Sequence, residues 1–217
     1  MANPDSFIDE VTEEVRRDRL YGLVRRWGWV AVLAVLLIVG GAAWTEWRAA
    51  QARDAAARFG DAILAASQLQ DPGARAEAVA DVVPVTDGQA AIAALLTAAT
   101  RLEAEQSPEA AASLLSLADA AEVPLRYRHL ALLKLSLNGG TGDAVRDASI
   151  LEELAAPGAP FRPLALEQQA LAALQAGDEA TAVTLLRLLT QEAGVSDALR
   201  RRALQVIVAL GASAEPV

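Results

Sequence analysis

The sequence predicts an all-α chain: one apolar helix near the N-terminus, long enough to cross a membrane, followed by a solenoid of helix hairpins. Three observations carry that reading. Residues 27–45 contain no ionisable side chain. Ala- and Leu-rich stretches recur about every 35 residues between turns marked by Pro, Gly and Asp. Aromatic residues make up only 4% of the chain, and β-branched residues are few beside Ala and Leu, which favours helix over strand.

The apolar stretch comes first. Nineteen helical residues cover roughly 28 Å, close to the ~30 Å hydrocarbon core of a bilayer. All four tryptophans stand at its two ends, Trp27 and Trp29 before it, Trp44 and Trp47 after it. Amphipathic rings prefer the headgroup level, so these four are predicted membrane-interface anchors. The centre, "VAVLAVLLIVGG", lacks the polar face that a surface helix of a soluble domain keeps. A cleaved signal is the rival reading, with Gly41-Ala42-Ala43 as its cleavage site. Against it, the preceding 26 residues hold six acidic side chains, and the apolar run exceeds the ~7–15 residues of a signal core. An uncleaved single span is expected.

Arginine bias sets the expected topology. Five arginines precede the span, and Arg25 and Arg26 abut it, whereas the 18 residues from Arg48 to Ala65 hold three. Positive charge stays on the cytoplasmic side, which places the N-terminus there and the rest of the chain outside. Residues 48–217 count 14 basic and 21 acidic side chains, a net of −7. Such a surface repels nucleic acid. The chain has no cysteine, which excludes disulfides, thiolate catalysis and zinc–thiolate sites.

The remainder reads as paired helices. "SPEAAASLL" (107–115), "DAVRDASIL" (143–151) and "DEATAVTLL" (178–186) align at spacings of 36 and 35 residues. Each opens on an N-cap residue type (Ser107, Asp143, Asp178), carries Ala inside and ends in paired aliphatics. Ala111 and Ala182 are predicted where helices approach most closely, with Leu115, Leu151 and Leu186 packing beside them. Partner helices are predicted over 74–83, 89–104, 125–137, 161–175 and 199–210, giving about nine or ten helices in all. Upstream of the span, Phe7, Val11, Val15, Leu20 and Val24 recur at near-helical spacing behind Ser6 as cap; this segment is either a solvated lead-in or a docking helix.

The period, the helix–turn–helix unit and the Ala-rich interior resemble tetratricopeptide repeats, over roughly residues 89–210. The whole layout resembles the YfgM-type family of ancillary subunits of the bacterial Sec translocon. The shared features are a short charged N-terminus, a span ending in "GGAAWTEW" (Gly40-Gly41, then Trp44 and Trp47), the long helix "RAAQARDAAARFGDAILAA" and degenerate repeats. The resemblance implies a single-pass inner-membrane protein with residues 1–26 cytoplasmic, 27–47 transmembrane and 48–217 a periplasmic tetratricopeptide-like domain. It also implies protein partners, namely translocon subunits and a periplasmic chaperone that serves secreted proteins. A solenoid scaffold for another envelope complex (division, wall synthesis or respiration) is the alternative.

No catalytic set is expected, nor a metal, cofactor or small-molecule substrate. His129 is the single histidine and cannot build a metal site or a catalytic triad alone. Glu152-Glu153 and Glu103/Glu105 lie at spacings that do not face one reacting atom on a helix. "NGGTGD" (138–143) lacks the residues of a phosphate loop and reads as a turn. Arg200-Arg201-Arg202 is read as outward charge on a capping helix, with an acidic partner as the sharper alternative.

Overall fold

The computed structural model describes residues 4–213, with side chains placed at residues 25, 29 and 30 and from 32 to 213. The Arg26 and Trp27 side chains, and the apolar positions predicted before the span, lie outside the described residues. Among the described residues there are nine α-helices and no strand. The chain divides into two compact units, Met1–Ala57 and Arg58–Val217.

Helix α1 runs from Pro4 to Ser67 and passes Trp47 without a break. Ser6 therefore lies inside its first turn and is not the cap. Pro4 opens the helix instead, where a missing N–H costs nothing. In the first unit every described side chain from Val32 to Arg48 is exposed. These include Leu37 at 68% and Ile38 at 71%.

In the second unit, turn chemistry sets the helix starts. α2 (Pro72–Ala80) begins where Asp71 accepts from the Ala74 N–H, and α3 (Asp87–Glu103) where Thr86 accepts from Gln89. α6 (Ala144–Leu154), α8 (Glu179–Gln191) and α9 (Asp197–Ala209) are capped by Asp143, Asp178 and Ser196. α5 (Leu125–Leu137) keeps the predicted bounds, and α7 starts at Arg162 and ends at Gln175. The capping role predicted for Ser107 is corrected: Ser107 is the first residue of α4 (Ser107–Asp119), and Gln106 occupies the cap position without a side-chain bond. Glu105, at φ 60°, turns the chain so tightly that Gln106 both closes α3, donating to Arg101 O at 2.8 Å, and opens α4.

That closure recurs. α3, α5, α7 and α9 each end on a left-handed residue, Glu105, Gly139, Gly177 and Gly211. In each case the following N–H reaches back to a carbonyl of the last turn, at Arg101, Leu135, Ala173 and Ile207. The four positions fall 34, 38 and 34 residues apart. A second series starts the returning helices. Arg128 donates to Ala118 O at 2.7 Å, Arg162 to Ala155 O, and Arg200 to Thr190 O at 3.4 Å. Each arginine satisfies an orphan carbonyl at the C-terminus of the preceding helix, where positive charge also suits the helix dipole.

Packing follows the alanines. Ala91, Ala98, Ala110, Ala131, Ala165, Ala170, Ala182 and Ala203 are at most 1% exposed and let helices approach closely. Two core clusters form. One joins α3–α6 with the start of α7, centred on Leu114, Leu135 and Leu154; the other joins α7–α9 around Leu186, Leu189 and Ile207.

Candidate functional site

The predicted packing residues distribute unevenly. Ala182 and Leu186 are buried in the second cluster. Ala111 and Leu115 are half-buried against the first cluster, and the fully buried positions of α4 are their neighbours Ala110 and Leu114. Leu151 is half-buried at a cleft, while Ile150 and Leu154 enter the core. Counted from its first residue, α4 buries Ala110, Leu114 and Leu117, and α8 buries the equivalent Ala182, Leu186 and Leu189. The same count in α6 places Asp147 where the alanines sit. Its carboxylate accepts from the Thr141 N–H (2.7 Å) and hydroxyl (2.8 Å). It also occupies the space that a Cβ at Gly140 would need, and Gly140 has φ +71°. An acid latches the loop onto α6 where an alanine would otherwise seat the helix.

The charged candidates turn out to be mostly structural. Arg202, on α9, forms a two-pronged pair with the largely buried Glu167 of α7, Nε to Oε1 at 2.5 Å and Nη2 to Oε2 at 2.7 Å. The outward reading of the triple arginine is corrected for this residue: Glu167, 35 residues earlier, holds its guanidinium charged and raises its pKa. Arg200 bonds Thr190 O and Asp197, and Arg201 is exposed. Glu103 pairs with Arg75 at 3.0 Å, and Glu192 with Arg162 at 2.7 Å. The cap Asp178 has its pKa lowered by hydrogen bonds from the Thr181 hydroxyl and N–H.

His129 is 5% exposed, and the fold brings it a carboxylate that sequence spacing concealed: Glu153 Oε1, on α6, lies 3.3 Å from its Nε2. Its Nδ1 is buried without a hydrogen-bond partner. One imidazole and one carboxylate, with no nucleophile beside them, tie α5 to α6. Among the described residues, no three or more His, Asp or Glu side chains gather closely enough to hold a metal ion.

Surfaces remain as the candidate functional features. The repeat unit carries open clefts of about 450 Å³ (between α2, α3 and α4), about 350 Å³ (between α5, α6 and α7) and about 210 Å³ (between α4, α5 and α6). The middle cleft mixes Ser136, Asp147, Gln168 and Gln175 with Leu151 and Leu171, a lining suited to a polypeptide rather than to a catalysed reaction. In the first unit, the exposed apolar stretch of α1 begins a segment, Val32–Ser67, with the length and hydropathy of a candidate membrane span.

Arg128, Arg162 and Arg200 escaped sequence reasoning because isolated arginines read as solvated charge. Their spacing of 34 and 38 residues, matching that of Gly139, Gly177 and Gly211, was the available signal.

No curated protein and no solved structure matches the chain. The tetratricopeptide repeat-like domain family matches residues 24–144, from the apolar stretch of α1 into the first turn of α6. By that match, over more than half of its length, the chain belongs to the tetratricopeptide repeat-like domain family.

Proposed function

We propose that this protein is a non-catalytic interaction module anchored in the bacterial inner membrane by residues 27–47, with residues 1–26 in the cytoplasm and residues 48–217 in the periplasm. Within that role it serves the Sec translocon as an accessory, working with a periplasmic chaperone on emerging secreted proteins. The observation that carries the reading is a fully exposed apolar stretch on α1 in a chain whose remaining helices form the family's protein-binding repeats. Leaving Leu33 to Val39 in water costs about 25 cal/mol per Å² of apolar surface, a cost that lipid removes. Tethering then raises the effective concentration of the repeats toward anything emerging at the same surface. The choice of the translocon rests on the resemblance of the layout to the YfgM-type subunits.

Photoreactive residues at Leu37, 68% exposed on α1, and at Leu171, exposed at the α5–α7 cleft, test the proposal in membranes. Leu37 is expected to crosslink translocon subunits, and Leu171 a chaperone or a nascent secretory chain. Recovery of only division, wall-synthesis or respiratory subunits from both positions sinks the translocon role and promotes a scaffold of that complex.

A further inference from the structure

Just beyond the apolar stretch, one face of α1 is built differently from the other. Trp44, Trp47 and Arg48 sit at i, i+3 and i+4 and so share a face. The two indole rings lie 5.3 Å apart, tilted at 42°, and the Arg48 guanidinium carbon stands 5.4 Å from the centre of the Trp44 ring. All three side chains are exposed. At 100° per residue, Glu46 and Arg53 fall on the opposite side, where they pair with each other at 2.9 Å. The nearest acid is thereby engaged elsewhere, and among the described residues Arg48 has no hydrogen-bond or ion-pair partner.

Direction matters as much as charge. Helical side chains lean toward the N-terminus, which here means toward the apolar stretch. Arg48 follows that lean by stacking over Trp44 rather than reaching away into water. Below the rings, Gly40 and Gly41 leave the helix surface open. A forked, free guanidinium held on an aromatic ledge and aimed at the bilayer matches one chemistry, the phosphate of a phospholipid headgroup.

We infer that Arg48, stacked on Trp44 and Trp47, binds the phosphate of a phospholipid headgroup in the outer leaflet of the membrane and fixes the depth of the span. This site rests on the reading that α1 crosses the membrane. Its occupant is the lipid, not free phosphate, because the aromatic ledge binds only what lies at the headgroup level.

The test uses the full chain, which has no cysteine. Single cysteines at 41–43, 45, 46 and 49–55 leave the three site residues intact. Labelling by a membrane-impermeant maleimide then maps the boundary between shielded and open positions in phosphatidylethanolamine/phosphatidylglycerol vesicles. Arg48→Ala is expected to move that boundary by about one helical turn, three to four residues. The unmodified site in vesicles of digalactosyldiacylglycerol, which lacks phosphate, is expected to move it equally, and added inorganic phosphate is expected not to restore it. An unmoved boundary in Arg48→Ala or in the glycolipid, or restoration by inorganic phosphate, overturns the site. A wild-type chain stripped from the vesicles by alkaline carbonate overturns the span itself, which is a separate result.

Discussion

α8 and α6 occupy equivalent places in successive hairpins, yet they are held by different physics. α8 buries Ala182, Leu186 and Leu189 and seats against its neighbours through the small alanine. α6 carries Asp147 at the matching position, buries only Ile150 and Leu154, and is flanked by clefts on two sides. One helix is fixed by close apolar approach, the other by a carboxylate that fastens the preceding loop and by the His129–Glu153 contact. A repeat can thus keep its cap and its paired aliphatics while exchanging the interaction that seats it.

Truncating the aliphatics separates the two helices most sharply. Leu189→Ala empties a fully buried site and is expected to cost about 2–5 kcal/mol, whereas Leu151→Ala at its cleft should cost under about 1 kcal/mol. Chemical unfolding of the detergent-solubilised chain measures both, and equal losses would erase the distinction between the helices. Enlarging the small residues comes next. Ala182→Leu overpacks a closed contact, at about 1–3 kcal/mol, while Ala148→Leu on the exposed face of α6 should fall within about 0.5 kcal/mol of wild type.

The acid latch is the third lever. Asp147→Ala strips two hydrogen bonds from Thr141 and is expected to cost about 1–2 kcal/mol, with hydrogen exchange faster in residues 139–147 and unchanged in α8. Unchanged exchange in that loop would show that Asp147 is not what fastens it. The smallest change has the opposite sign. Glu105 alone holds a left-handed conformation that glycine holds in the later repeats, so Glu105→Gly should stabilise by up to about 1 kcal/mol. A lower melting temperature in that variant would mean the Glu105 side chain contributes something that the turn geometry does not explain.

These contrasts also mark where sequence reasoning stopped. The hairpin architecture was legible because Pro, Gly and capping residues punctuate it: α5 kept its predicted bounds, and Asp143 and Asp178 cap the helices they were expected to cap. Register was harder. The three aligned stretches begin alike, but Ser107 is itself helical whereas Asp143 and Asp178 stand before their helices, which displaces the buried positions of α4 to Ala110 and Leu114. Asp147 was invisible as a packing residue, since nothing local distinguishes a latching acid from a solvated one. Pairings across helices, Glu167 with Arg202 and His129 with Glu153, depend on which turns face each other, and no local spacing encodes that.

The alanine interior has a thermal consequence. A buried alanine gives up no rotamer entropy on folding, yet it withdraws far less apolar surface from water than a leucine does. The heat-capacity change of unfolding scales with the apolar surface exposed. A core with so many alanines, from Ala91 to Ala203, therefore unfolds with a smaller heat-capacity change per residue than a leucine-packed core of equal length. Its stability curve is broad and shallow, so the repeats hold nearly constant stability across a wide temperature range instead of peaking sharply within it.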